Sequence, residues 1–68
     1  MASDGEFAPG EESAAAEFIK ALPADVRRVY VEEWDGTGWR FVYGDDRGHA
    51  PKGLTRLNPG RRFRIRPV

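Results

Sequence analysis

Trp34-Asp35-Gly36-Thr37-Gly38-Trp39-Arg40-Phe41-Val42-Tyr43 is the stretch on which the reading of this chain turns. Gly36 and Gly38 can take positive φ in a tight turn, and the residues after them alternate as a half-buried strand does. Just upstream, residues 24–34 admit two readings. Leu22, Val26, Val29, Tyr30 and Trp34 would line a second helix with Pro23 near its first turn, whereas Val29-Tyr30-Val31 is built of strand formers. The hairpin decides the matter, because a tight turn needs a strand on each side. With Gly36 and Thr37 as turn residues, Trp34 faces Trp39, Glu32 faces Phe41 and Tyr30 faces Tyr43. One face then carries Tyr30, Trp34, Trp39, Phe41 and Tyr43. The other carries Val29, Val31 and Val42, with Glu33 beside Arg40. A slip of one residue would exchange the faces.

Upstream of the hairpin, Ala15, Phe18, Ile19 and Leu22 follow the i, i+3, i+4, i+7 spacing of an amphipathic helix. The helix is expected over Glu11–Leu22, begun by acids that suit its dipole and ended by Pro23. Residues 1–10 are small, acidic and broken by Gly5, Pro9 and Gly10, and read as a disordered acidic tail. Downstream, residues 44–53 read as a glycine-rich loop, and Asn58-Pro59-Gly60-Arg61 suits a type II turn. Arg62-Phe63-Arg64-Ile65-Arg66 alternates strictly and forms a last strand, stopped by Pro67. The expected fold class is α+β: one N-terminal amphipathic helix packed on a small antiparallel sheet of about three strands, with residues 11–68 forming a single domain. The expected core is Phe18, Ile19, Leu22, Val26, Val29, Val31, Val42, Leu54, Leu57, Phe63 and Ile65.

The chain has 68 residues and a formal charge of +0, with the signs sorted by position. Residues 1–35 hold nine acids against three bases, a net of −6, and residues 36–68 hold eight bases against two acids, a net of +6. That dipole points to an anionic partner for the basic half, or to one half neutralising the other. There is no cysteine, which excludes disulfides and thiolate metal sites and agrees with a cytoplasmic home. The first twenty residues lack the apolar stretch of a secretory signal, and no run is apolar enough to span a membrane.

Gly38-Trp39-Arg40-Phe41-Val42-Tyr43-Gly44 resembles a fragment of the small MbtH-like proteins that accompany peptide synthetases, although that family's downstream tryptophan and Arg-Pro-x-Ser-Leu elements are missing here. The segment Leu57–Ile65 resembles the turn and strand of swapped-hairpin DNA-binding proteins and of many small barrels, a pattern that reports a turn before a buried strand. Neither assigns a family.

Catalysis has little to draw on. His49 is the only histidine, Asp45, Asp46 and His49 are the most a metal could find in their loop, and no phosphate-binding glycine loop occurs. No enzyme activity, cofactor or metal is expected. A single helix covers one side of a small sheet, leaving the other for water or a partner. If Phe63 and Ile65 join the valines beneath the helix, Arg62, Arg64 and Arg66 share the far side with Tyr30, Trp34, Trp39, Phe41 and Tyr43. Those eight residues would form a binding surface in which rings stack on bases and guanidinium groups neutralise phosphate, so nucleic acid is the leading partner. The alternative is a protein-interaction or adaptor module, including a homodimer through the aromatic face, a reading that the zero formal charge favours. The reverse arrangement, with the aromatic face as the core and the arginines on the valine side, is equally compatible with the sequence. Each arrangement misplaces one glutamate, Glu32 or Glu33.

Overall fold

The computed structural model describes residues 3–68. The chain runs β1 (Gly5–Phe7), α1 (Glu12–Lys20), β2 (Arg28–Trp34), β3 (Trp39–Asp46), α2 (Ala50–Gly53), a 3₁₀ turn at Leu54–Arg56 and β4 (Phe63–Pro67). The strands form one antiparallel sheet in the order β1-β4-β2-β3. The α+β class therefore holds, with a fourth strand and a second short helix beyond the expected set.

The fourth strand corrects the reading of residues 1–10 as a tail. Gly5 pairs with Ile65 and Phe7 with Phe63, which makes Gly5–Phe7 an edge strand on β4. The cause is one aromatic anchor: the Phe7 ring lies 5.7 Å from Phe18 and stacks 5.5 Å from Phe63. Gly5 leaves room for Phe18, whose ring would meet an added Cβ at 3.0 Å. Met1 and Ala2, the start of that supposed tail, lie outside the described residues.

Helix α1 is shorter than expected at both ends. Its Glu11 cap turns its side chain back to accept the Ala8 N–H at 2.6 Å, and Ala15 and Ile19 are buried along one stripe. The hairpin turn is tied by Asp35, whose Oδ1 accepts from the Thr37 N–H at 2.8 Å, the Gly38 N–H at 2.9 Å and the Thr37 hydroxyl at 2.9 Å. Those bonds, the Thr37 N–H first, hold the Asp35 carboxyl below its ordinary value. Gly36 takes a φ of 100°, as the turn requires.

Register follows the expectation at Trp34–Trp39 and Glu32–Phe41, then shifts between Val31 and Glu32. Val42 is the extra residue of a β-bulge, so Tyr30 faces Gly44 and Val31 faces Tyr43. The bulge moves Tyr43 to the valine face and leaves Val42 exposed, outside the core to which the alternation assigned it. Residues 44–53 are likewise more regular than a loop. Strand β3 continues to Asp46, whose carboxylate accepts the Gly48 and His49 N–H groups at 3.0 Å and leads into α2. The turn at Asn58 closes through the Arg61 N–H and the Asn58 carbonyl at 3.2 Å. Gly60 is not among the positive-φ glycines, so the expected type II turn does not form; the Asn58 side chain accepts the Gly60 N–H instead.

The core lies on one side of the sheet. Val29, Val31, Phe63 and Ile65 pack beneath Ala15, Ile19 and Leu22, with Val26, Ala50, Leu54 and Leu57 closing the edges. Burying each large side chain is worth about 1.5–3 kcal/mol, which is why both helices gather here. Among the described residues, no helix lies over the opposite face.

Candidate functional site

Alternation along β2, β3 and β4 decides which side chains face the uncovered side. From β2 come Arg28, Tyr30, Glu32 and Trp34; from β3, Trp39 and Phe41; from β4, Arg64 and Arg66, with Arg62 just before the strand. The structure brings together seven of the eight residues singled out from the sequence: Tyr30, Trp34, Trp39, Phe41, Arg62, Arg64 and Arg66. Tyr43 is the exception and is removed from the surface. The bulge turns it to the helical side, where its hydroxyl donates to the Ala50 carbonyl at 2.7 Å.

The rings form two crossed pairs. Trp34 and Trp39 meet edge to face with centroids 5.5 Å apart, and Tyr30 and Phe41 do the same at 5.5 Å. Phe41 is 56% exposed, and Tyr30 and Trp34 are each 39% exposed. The Arg64 guanidinium lies 4.6 Å from the Trp39 ring centroid, a cation–π contact that fixes both groups. A groove of about 270 Å³ runs between Trp34, Trp39, Arg62 and Glu6.

Electrostatics set this face apart from a phosphate cradle. Arg64 Nε donates to Glu32 Oε1 at 2.6 Å, with the Arg64 side chain 21% and the Glu32 side chain 12% exposed. Arg66 lies 3.8 Å from Glu32 and 3.5 Å from Asp4, and Arg62 lies 3.7 Å from Glu6. Arg62, Arg64 and Arg66 therefore each have a carboxylate of the same chain beside them, whereas exposed Arg28 at the end of β2 has no ion-pair partner among the described residues. Sequence reading missed Asp4 and Glu6 as members of the surface. Glu32 was visible as a residue misplaced among aromatics; its register partner Arg64 is the missing explanation. Glu33, the other misplaced acid, accepts the Asn58 N–H at 2.7 Å at the sheet's rim.

Among the described residues, Asp45, Asp46 and His49 bring ligand-type atoms within 4.8 Å of one another. Internal bonding accounts for this grouping: Asp46 Oδ2 lies 2.8 Å from His49 Nδ1, while Oδ1 closes the loop. The His49 side chain, followed by its N–H, holds the Asp46 carboxyl below its ordinary value.

Fold and surface together define a small α+β domain with one sheet face sealed by helices and the other an open field of aromatics and paired arginines. No family model matches this chain, and no curated protein or solved structure matches it either. Among the described residues no helix is long and apolar enough to cross a membrane.

Proposed function

We propose that this chain is a non-enzymatic protein-interaction module that docks its partner on the open sheet face. The observation that carries the reading is the pairing of Arg62, Arg64 and Arg66 with Glu6, Glu32 and Asp4. A face on which three of four arginines, all but Arg28, already sit beside carboxylates offers an anionic polymer little counterion release, the main source of its affinity. It still offers exposed tryptophan, tyrosine and arginine, the residue types that dominate protein binding hot spots. Trp34, Trp39 and Phe41 would be the anchors, with the ion pairs as a polar rim. The test is a photo-crosslinking residue at position 41, compared with one at exposed Ala14 on the helical side. Defined protein adducts from position 41 alone support the reading, and adducts of equal yield from both positions refute it.

Single-stranded nucleic acid is the second reading. It is favoured by Arg62 and Arg66, whose side chains stay about half exposed and whose carboxylate contacts are loose enough for phosphate to displace. Oligonucleotide binding with a steep dependence on salt would establish it in place of the first.

A further inference from the structure

The outer edge of β3 is a second surface, which borders the open face and shares Trp39 and Phe41 with it. From the arrangement of this edge we propose that it pairs antiparallel with the same edge of a second copy of this chain, making a two-fold dimer with one continuous eight-stranded sheet. Strand β3 is an edge strand of eight residues and contains neither proline nor lysine, two common guards of such edges. The bonds from Asp35 N to the Gly38 carbonyl and from Arg47 N to the Arg27 carbonyl bracket its pairing with β2. Antiparallel alternation between them, with Val42 and Tyr43 sharing one place at the bulge, turns the backbone groups of Trp39, Phe41, Gly44 and Asp46 outward.

Counting the bulge as one place, β3 is symmetric about it. A two-fold axis there sets Phe41 against Gly44 and Trp39 against Asp46 of the second copy, so each outward-facing residue meets another. The same register sets Arg40 against Asp45. Those two lie five residues apart and would fall on opposite faces of a regular strand; the bulge puts both on the helical side, where Arg40 faces Glu33 and Asp45 faces Val29 within the chain. A bulge ordinarily spoils edge pairing, but here the symmetry operation lays bulge against bulge. Each interface gains two Arg40–Asp45 contacts, and Phe41, the most exposed of the aromatic side chains, comes to lie beside Gly44, over which the Tyr30 ring of that copy leans, its Cδ1 2.7 Å from where a Cβ would sit. In such an isologous dimer both open faces look the same way, so the docking surface is doubled.

The experiment is sedimentation of the whole chain with charge variants of this one pair. Wild type is expected to dimerise, and Arg40→Asp or Asp45→Arg alone to weaken the dimer about 10–100-fold by placing like charges across the axis. An equimolar mixture of the two variants is expected to form a heterodimer, since one chain then carries two acids and the other two arginines at these positions. Trp34→Ser, on the open face, is expected to leave the dimer intact. A wild type that stays monomeric at high concentration overturns the proposal, as does a dimer indifferent to Arg40→Asp or a mixture that fails to associate. Loss of the dimer in Trp34→Ser with retention in Arg40→Asp would assign self-association to the open face instead.

Discussion

The Tyr43 phenol is half-buried between the sheet and α2, and loss of hydration there pushes its pKa up from 10.0 to about 12. The folded chain thus holds this proton more tightly than the unfolded chain does. Its contribution to stability is complete below pH 10 and is lost as pH rises toward 12. Tyr43→Phe is expected to remove that alkaline loss and to cost about 0.5–1.5 kcal/mol at neutral pH through the bond to Ala50. Urea denaturation of both proteins across the alkaline range checks it. Gly53 belongs to the same contact, since an added Cβ would come within 2.5 Å of the Tyr43 ring. With that ring pinned at its hydroxyl, Gly53→Ala is expected to destabilise by about 1–3 kcal/mol, and Tyr43→Phe to relieve part of the loss in the double variant. At the acid end the sign reverses. The depressed Asp46 carboxyl stabilises the fold above its ordinary 3.8, a contribution lost as pH falls through the lower folded value. Asp46→Asn should flatten the acid limb of the stability curve.

Among the elements, α1 depends on a residue far from it in sequence. The Arg47 guanidinium, in the turn after β3, donates to the Lys20 carbonyl at 3.0 Å and the Leu22 carbonyl at 2.6 Å, and also reaches Ile19, Pro23 and Val26. The Ile19 and Lys20 carbonyls belong to the last turn of α1 and the others to the segment that follows it, and a cation at that C-terminal end also complements the helix dipole. One planar fork therefore caps α1 and ties it to the hairpin. Arg47→Ala is expected to cost about 2–3 kcal/mol, and Arg47→Lys to restore only a part, because an ammonium cannot span that many acceptors. Thermal unfolding followed by circular dichroism reads both, at about 4–8 °C per kcal/mol for a domain of this size. The bulge at Val42 is the other decisive local feature. It turns Tyr43 to the helical side, against the core, and brings Arg40 and Asp45 to one face.

Across the whole molecule, the charge separation along the sequence is folded back on itself. Strand β1 carries Glu6 to Arg62, residue Asp4 reaches Arg66, and Glu32 of β2 holds Arg64, so acidic and basic halves neutralise each other on one surface. Glu32→Gln tests the consequence. It leaves a largely shielded Arg64 without its carboxylate, with an expected loss of about 3 kcal/mol by chemical denaturation, the low end of the cost of breaking a buried pair. It also adds one net positive charge to the open face. On the protein-partner reading the variant gains no appreciable affinity for a single-stranded oligonucleotide at low salt. A clear gain in fluorescence anisotropy titration would show that the acids had been masking a phosphate site.

Much of this architecture was legible in the chain because local patterns and burial agreed. The spacing of Ala15, Ile19 and Leu22 fits only a helix with one wet side, and the Asp35–Gly38 turn dictates its own register for the residues beside it. Alternation in Phe63–Ile65 likewise determined that arginines and apolar residues of β4 take opposite faces. Other features depend on contacts between distant residues, which no local pattern encodes. Phe7 becomes part of a strand only because Phe18 and Phe63 wait for it, and Val42 bulges only where β2 and the helical layer claim Tyr43. Which face is covered was an even choice in the sequence, since either set of residues would fill a core. Tertiary structure decided it, because the helices seal the valine side while Glu32 finds its arginines on the aromatic side.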